Sequence, residues 1–556
     1  MAGIDSRHRL PGARAAVKLR HMPPIVRVFA CLLCAAGCAQ AQTPEPPPSA
    51  PASAAVQPGQ PTLVVMITID GFRADFLERF GPQLQGGLAR LKNGGAWFTN
   101  GHQDHGITET APGHASLLSG RFPRSTGIIQ NLVGVIDPEM PLLGFSGVAG
   151  ASPRRFQGTE LIDWMRAKDP RSRALSVSMK DRAAILPIGT SKQQVFWYPG
   201  DGDFTTSKYY MDSLPTWVVQ FNARRLPEKY AGKTWTPLLP ANAYPEPDSV
   251  PLEGGGTDFV FPHLLPADSA QAASLIRTSP FIDEVTVAFA LEGVRALHLG
   301  EGPQTDLLAV SLSATDLINH RLGPDSRETH DQVLRVDRQI GILLDSLFKL
   351  RDPSRVIVAL SADHGFTPIP ELAPASVVPH PARVSLLPLL AKIRTQLAAL
   401  KIDTTAIVLD QQVVLFDRPA FRNSKVSADS MVTWLRNEAL KVPGVARVDR
   451  PRDLIKGDTV GDPITRRWVH QIPLNYPAEL VTTLTRGSIW AGIVATHGSP
   501  YDNDSNVPIL FYGPGFAPGR YTDFVRTVDI GATLARRLGV TPLEKLDGVP
   551  LTRALK

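Results

Sequence analysis

Apolar runs that end in polar side chains recur along this chain. "TLVVMITID" ends at Asp70, "TDLLAVSLSATD" at Asp316, and "RVIVALSADHG" contains Asp363 and His364. Runs of this length are typical of buried strands, and segments long enough for helices separate them. The pattern therefore predicts an α/β fold with a mostly parallel central sheet flanked by helices. In such sheets ligands bind beyond the carboxyl ends of the strands, where these polar residues fall.

Other periodicities predict what surrounds this sheet. Residues 326–350 repeat apolar positions at helical spacing, which predicts a long packing helix. Residues 190–280, rich in aromatics, Pro and Gly, predict an irregular cap, and residues 375–490 carry patterns of their own helices and strands. We therefore expect one catalytic domain over residues 62–550, interrupted by a cap and by a small α+β insertion.

The N-terminal region has the pattern of an export signal. A basic stretch precedes the apolar run "IVRVFACLLCAAGCAQAQ", and Ala39-Gln40-Ala41 has the small-x-small form of a cleavage site. Residues 1–41 are thus a predicted signal peptide, and residues 42–61 a linker rich in Pro and Ala. The apolar run is too short to span a bilayer, so we expect a periplasmic or secreted protein without a transmembrane helix in its mature form.

The cysteines and the charges concentrate in the same region. Cys31, Cys34 and Cys38 all precede the predicted cleavage point, so the mature chain would contain no thiol. The less favoured alternative is a lipid anchor on Cys38, because Ala35 replaces the usual leucine of a lipoprotein signal. Six of the 58 Lys and Arg residues and one of the 52 acidic residues lie in residues 1–41. The remainder is nearly neutral, which argues against a nucleic-acid-binding surface.

The polar residues after the strands include metal-ligand chemistry. Asp316 and His320 are four residues apart, one helical turn, and His497 lies in the loop sequence "VATHGSPYDND". Singly, such residues more often cap helices or form turns. Together with Asp70, Asp363 and His364, they give three carboxylates and three imidazoles, which suit zinc and suffice for two ions.

Five motifs in a fixed order, "TIDGFR", "TETAPGHASLLSG", "SATDLINHRLGPDS", "SADHG" and "ATHGS", resemble the alkaline phosphatase superfamily. The likeness is to the branch that nucleotide pyrophosphatase/phosphodiesterases share with secreted bacterial alkaline phosphatases having a threonine nucleophile. The resemblance implies that Thr110 attacks phosphorus and forms a phosphothreonine. It also implies two Zn²⁺ ions, one held by Asp70, Thr110, Asp363 and His364 and the other by Asp316, His320 and His497.

Substrate preference depends on further resemblances. Asn131, 21 residues after Thr110, resembles an asparagine that donates to a phosphoryl oxygen. Lys180 and Arg182 in "SMKDRAAILPIG" resemble the cationic pair of the monoesterases, and an extended segment would direct both side chains to one face. The resemblance implies an alkaline phosphatase acting on small phosphate monoesters. The alternative is a phosphodiesterase or nucleotide pyrophosphatase with the same two-metal site.

Two further readings are less favoured. A sulfatase-type hydrolase requires a Cys or Ser that becomes formylglycine, and Thr110 cannot be converted in this way. A secreted binding module without activity would lack a ligand or the nucleophile, yet every expected position is filled. Near the nucleophile, Thr108 is expected to cap or pack, and His114 is expected to be structural.

Overall fold

The computed structural model describes residues 59–556. The predicted export signal, its three cysteines and most of the predicted linker lie outside the described residues. The first strand begins at Leu63, one residue beyond the predicted start of the catalytic domain at residue 62.

Within residues 59–556, nine strands form the central sheet: β1 Leu63–Ile69, β2 Ala96–His102, β3 Ala174–Ser178, β4 Gln194–Trp197, β5 Asp306–Leu312, β6 Val356–Ser361, β7 Asn506–Tyr512, β8 Gly519–Tyr521 and β9 Val525–Arg526. Their order in the sheet is β8-β2-β7-β6-β1-β5-β3-β4, with β9 paired to β2. Strand β7 is antiparallel to β2 and β6, and the other pairings are parallel. The predicted mostly parallel α/β sheet is confirmed.

Helices cover both faces of this sheet. Those used below are α1 Thr110–Ser119, α2 Asp181–Ile185, α3 Phe281–Ala296, α4 Ala314–Leu322, α5 Arg327–Leu350, α6 Pro463–Gln471 and α7 Val528–Leu538. Further helices are Phe76–Arg79, Gly87–Gly94, Pro123–Thr126, Leu161–Lys168, Thr216–Asn222, Ser269–Leu275, Leu387–Ala399, Ala428–Ala439, Pro451–Leu454 and Asp502–Ser505. In this part of the chain, no helix combines the length and the apolar character needed to cross a membrane.

The core divides along β1 because successive side chains of a strand point to opposite faces. Val65 and Ile67 pack on the face covered by α3 and α5, whereas Val64 and Met66 face α1 and α7. The long helix predicted over 326–350 is confirmed as α5, which begins after Ser326. The Ser326 hydroxyl accepts a hydrogen bond from the backbone N–H of Thr329 at 3.1 Å, which caps the helix.

The two interrupting segments differ in character. Residues 190–280 are mostly short helices and loops, but they also contribute the edge strand β4, which the expectation of an irregular cap overlooked. Residues 375–490 contain a separate four-stranded antiparallel sheet of Ile407–Asp410, Val413–Phe416, Val445–Asp449 and Ala478–Leu484. Helices Leu387–Ala399 and Ala428–Ala439 share a hydrophobic core with this sheet.

Candidate active site

Three adjacent central strands deliver carboxylates to one edge of the sheet. In the register, Ile69 of β1 lies opposite Leu312 of β5, and Thr68 lies opposite Ser361 of β6, so the three strands end side by side. Asp70 follows the last residue of β1 directly, Asp363 lies two residues after the end of β6, and Asp316 lies in the first turn of α4, which follows β5. The three side chains are at most 2 % exposed.

Three histidines lie beside these carboxylates, and the same kind of contact orients each ring. His320, His364 and His497 each direct Nδ1 to a backbone carbonyl, at 3.0, 2.9 and 2.7 Å respectively; the acceptors are Ala495, Gly365 and Thr108. A neutral imidazole that donates through Nδ1 keeps its lone pair on Nε2. The three Nε2 atoms lie 3.4, 3.8 and 3.5 Å from Oδ1 of Asp316. Carbonyl acceptors of this kind commonly orient metal-binding histidines.

We call Asp70, Asp316, Asp363 and the three histidines the ligand cluster. Its donor atoms form two groups that could hold a metal ion, Asp316 with His364 and His497, and Asp70 with Asp363 and His364. Within residues 59–556, Asp70 Oδ1, Asp316 Oδ1 and His364 Nε2 are buried and make no hydrogen bond. Buried acceptors without donors are costly, whereas a cation bound among them would satisfy them. The residues present therefore fit metal ions.

The pKa values in the ligand cluster reflect its crowding. Burial and the neighbouring Asp363 carboxylate raise the pKa of Asp70 to about 6. Burial also acts to raise the pKa of Asp316, but Lys180 and the surrounding histidines outweigh it and hold that pKa well below its usual range. Three carboxylates buried together thus depend on positive charge nearby, which favours cation binding.

Thr110 stands at the border of the ligand cluster, where α1 begins. Its side chain is 1 % exposed, and the positive end of the helix dipole lies at this residue. Lys180 Nζ is 3.4 Å from Thr110 Oγ1, and it is also 2.8 Å from Asp70 Oδ2 and 2.5 Å from Asp316 Oδ2. The lysine therefore connects the hydroxyl to two carboxylates of the cluster.

Asn131 is held against the start of α1. Its Oδ1 accepts a hydrogen bond from the Ala111 backbone N–H at 2.8 Å, and its own backbone N–H donates to Glu109 Oε2 at 2.6 Å. Among the described residues its side-chain amide nitrogen has no hydrogen-bond acceptor. The Asn131 side-chain amide is thus fixed against Ala111, the residue after Thr110, and its NH₂ group is left without a partner among the described residues.

The expectation of an extended segment at Lys180 and Arg182 is wrong. Lys180 has extended backbone angles but immediately precedes the short helix α2, and Arg182 lies in the first turn of that helix. Burial raises the pKa of Glu109, and the nearby Arg182 guanidinium opposes part of that rise. The Arg182 Nε atom is buried without a hydrogen-bond partner in residues 59–556. A strand-to-helix turn, not a strand, therefore carries both residues; Lys180 contacts Thr110 and the ligand cluster, whereas Arg182 pairs with Asp181.

The neighbours of Thr110 in the motif link separate loops. The Thr108 hydroxyl donates to the Ser499 carbonyl at 2.9 Å, so Thr108 packs against the loop that carries His497 and does not cap α1. His114 is fully buried; its Nδ1 lies 3.0 Å from the Thr110 carbonyl oxygen and 3.1 Å from Asp363 Oδ2. The other ring nitrogen lies 2.9 Å from Ser311 Oγ, so His114 joins α1 to two strand ends.

Sequence reasoning missed one arginine that supports the loop of His497. Arg467, on α6 of the insertion, is 3 % exposed; it donates to the Pro500 carbonyl at 2.5 Å and to Asp502 Oδ1 at 2.9 Å. Its Nε lies 3.5 Å from Asp104 Oδ1. No local motif marks this residue, because all its partners come from other parts of the chain.

The geometry of the site agrees with the family comparison. Residues 64–410 match the family model described as type I phosphodiesterase / nucleotide pyrophosphatase. The chain belongs to this family, within the alkaline phosphatase superfamily, and the resemblance noted in its motifs is confirmed.

Individual relatives cover most of the chain. Alkaline phosphatase PhoV of Synechococcus elongatus is 32 % identical over 89 % of this chain and 93 % of its own. Alkaline phosphatase PafA of Elizabethkingia meningoseptica is 30 % identical over 89 % of this chain and 95 % of its own. Together with the structural match below, these relatives confirm the prediction of an enzyme of the alkaline phosphatase type.

Solved structures extend the comparison to the fold. The crystal structure of wild-type PafA superposes with a TM-score of 0.82 at 28 % identity, covering 89 % of this chain and 99 % of PafA. A PafA variant substituted at one threonine, one asparagine, one lysine and one arginine matches with the same TM-score and identity. Human ectonucleotide pyrophosphatase / phosphodiesterase 5 shares the fold, with a TM-score of 0.51 at 15 % identity.

Proposed function

We propose that this protein is an exported zinc-dependent alkaline phosphatase that hydrolyses phosphate monoesters through a phosphothreonine on Thr110. The observation that carries the proposal is the position of the Thr110 hydroxyl, at a helix N-terminus, beside Lys180 and a cluster of candidate metal ligands. The alternative is a phosphodiesterase or nucleotide pyrophosphatase, which would use the same cluster.

Two zinc ions are the cofactors we assign to the ligand cluster. Asp70, Thr110, Asp363 and His364 would hold one ion, and Asp316, His320 and His497 the other. Mixed carboxylate and imidazole donors suit zinc, and three histidines argue against magnesium or calcium, which take oxygen ligands. When bound, zinc would act as a Lewis acid that favours the ionised hydroxyl and offsets charge on the leaving oxygen.

The residues of the chain have separate tasks in this proposal. Thr110 Oγ1 forms a bond to phosphorus as the bond to the leaving oxygen breaks, and the phosphothreonine is then hydrolysed by water. Asn131 offers its unused amide donor to a phosphoryl oxygen. Lys180 and Arg182 stabilise the charge on the remaining oxygens, an interaction that contributes several kcal/mol in sites of this kind.

The preference for monoesters depends on Lys180 and Arg182. A bound monoester has two charged non-bridging oxygens that are free to meet cations, whereas a diester has one fewer charge. Lys180 adjoins Thr110, and Arg182 Nε is buried without a partner in the described part of the chain, so both can serve an anion. The four residue types substituted in the PafA variant are those that we assign here as Thr110, Asn131, Lys180 and Arg182.

The remaining assignments complete the proposal. We place the enzyme in the periplasm or outside the cell, with an anchor on Cys38 as the less favoured alternative. The catalytic domain is assigned to residues 62–550, with the cap at about 190–280 and the α+β insertion at about 375–490. Small phosphate esters are the ligands.

The test compares kcat/KM for p-nitrophenyl phosphate with that for bis-p-nitrophenyl phosphate. For the Lys180→Ala/Arg182→Ala variant we expect the monoester value to fall about 100-fold or more, and the diester value to change far less, because a diester has fewer charges to lose. The matched control is Arg224→Ala/Lys229→Ala, which removes two positive charges from exposed positions of the cap. A wild-type preference for the diester that survives the Lys180/Arg182 change would assign the protein to the alternative.

A further inference from the structure

A pocket of about 300 Å³ opens beside the two cations assigned to the phosphoryl group. Lys180, Asp181 and Arg182 form one side, where Arg182 pairs with Asp181, and Leu142, Val148, Pro199 and Leu317 provide apolar walls. Since Lys180 Nζ is 3.4 Å from Thr110 Oγ1, the pocket adjoins the reacting atoms. An ester bound with its phosphorus at Thr110 can extend its organic part into this space.

One further cation lines the pocket. Arg277 lies at the end of the cap segment, and its Nε and Nη1 donate to the carbonyl oxygens of Ser274 and Pro199, each at 3.3 Å. No carboxylate of residues 59–556 forms an ion pair with it, whereas Lys180 pairs with Asp70 and Asp316. Asp201 is near enough for Arg277 to oppose the rise that burial causes in its pKa, but the two side chains are not in contact. Arg277 therefore retains donors for an anion.

The backbone around Arg277 leaves room for its guanidinium. Gly200 has a φ of +115°, and a Cβ atom there would lie 2.9 Å from both Cζ and Nε of Arg277. Any other residue would have to move the guanidinium and would adopt this backbone conformation only with strain. Gly200 and the two carbonyl acceptors together fix the guanidinium at the wall of the pocket.

We propose that Arg277 determines leaving-group specificity and selects phosphate monoesters whose leaving group carries a second anionic group. The pocket supports this substrate class because it combines apolar walls with a cation separate from the pair that would meet the phosphoryl group. A guanidinium donates in a planar fork that matches carboxylate and phosphate oxygens. The inference rests on the proposed phosphomonoesterase activity.

The test uses two substrates of nearly equal shape, 4-carboxyphenyl phosphate and 4-carbamoylphenyl phosphate, at pH 8. The measured quantity is the ratio of their kcat/KM values, and the comparison of this ratio between variants cancels the different reactivities of the two leaving groups. For Arg277→Gln we expect the ratio to fall about tenfold, as for loss of a hydrogen bond to a charged group. Arg277→Lys should retain most of the ratio because it keeps the charge.

Controls separate charge recognition from damage to the fold. Arg224→Gln removes an exposed charge from the same cap and should leave the ratio as in the wild type. The wild-type ratio should also decrease as salt is raised, since exposed charges are screened. Should Arg277→Gln fail to fold, the salt series on the wild type still tests charge recognition.

The possible results distinguish failure of the Arg277 inference from failure of the proposed phosphatase function. Robust activity on both monoesters with an unchanged ratio in folded Arg277→Gln would overturn the inference and leave the phosphatase intact. If Arg277→Gln does not fold, a wild-type ratio that stays constant as salt is raised would have the same meaning. A wild-type enzyme that prefers bis-p-nitrophenyl phosphate to both monoesters would overturn the proposed function, and the inference with it.

Discussion

The ligand cluster and the pocket next to it have opposite unmet hydrogen-bonding needs. In the cluster, Asp70 Oδ1, Asp316 Oδ1 and His364 Nε2 are buried acceptors without donors in the described residues. In the pocket on the other side of Lys180 the unmet groups are donors. Arg182 Nε is buried without an acceptor, and Arg277 forms no ion pair with a carboxylate of residues 59–556. The first region fits cations and the second fits an anion.

This difference explains why chemistry would occur at Thr110. An unsatisfied buried polar atom costs about 1–3 kcal/mol, so each region favours a ligand that supplies what it lacks. Lys180 touches both regions, since its Nζ contacts two carboxylates of the cluster and the residue also lines the pocket. On the proposed assignment, a phosphate ester bound here would meet metal ions on one side of its phosphorus and protein cations on the other.

Removal of metal should have the largest effect on activity, because the buried acceptors of the ligand cluster would then have no cation to satisfy them. Dialysis against a chelator should reduce monoester activity below about 0.01 % and lower the Tm, since ligands that bind only the folded state stabilise it. Zinc should restore both, with a stoichiometry near two by metal analysis. Full activity in protein containing less than one-tenth equivalent of metal would contradict the assignment of the cluster.

Loss of the hydroxyl between the two regions should rank next. Thr110→Ala should lower kcat about 1,000-fold or more, because the covalent step then lacks its nucleophile. Thr110→Ser keeps a hydroxyl and serves as the matched control, which should retain far more activity. Rapid quench with labelled substrate should find a phosphoenzyme in the wild type and none in Thr110→Ala. Near-normal turnover by Thr110→Ala would exclude this residue as the nucleophile.

The two regions also differ in how much of each can be predicted from the sequence. The carboxylates lie just beyond apolar strands, so the strand pattern alone places Asp70 and Asp363 at one edge of the sheet. The segment from Lys180 to Arg182 is not extended as the sequence predicts, because the five-residue helix that follows Lys180 is too short for periodicity to reveal. The sequence does not single out Arg277, because the contacts that hold its guanidinium involve Pro199 and Gly200, which are distant in sequence.

A smaller effect is expected from His114, which supports the border between the regions without touching substrate. His114→Gln should reduce kcat about tenfold with little change in KM, because the Thr110 carbonyl and Asp363 lose a shared contact. The matched control is His105→Gln, since His105 is equally buried but contacts Gln103 and Gln471 instead. Equal loss of kcat in the two variants, with equal loss of Tm, would show that His114 contributes only to stability.

The smallest effect should come from Arg467, which supports the ligand cluster only indirectly, through the loop that carries His497. Its contacts with Pro500 and Asp502 fix that loop from the insertion, so Arg467→Gln should let His497 move. We expect the zinc concentration for half-maximal activity to rise about fivefold, while kcat at saturating zinc recovers, because supporting contacts tune metal affinity.

The neighbouring Arg466 provides the control for this experiment. It contacts Asp104 at 3.1 and 3.0 Å and the Thr459 carbonyl, but not the loop of His497. Arg466→Gln should therefore leave the zinc dependence unchanged even if it lowers the Tm. If the two variants shifted the zinc dependence equally, the effect would belong to general loosening of α6. If neither did, the loop would hold His497 without help from the insertion, and the ligand cluster would depend on the central sheet and its own loops alone.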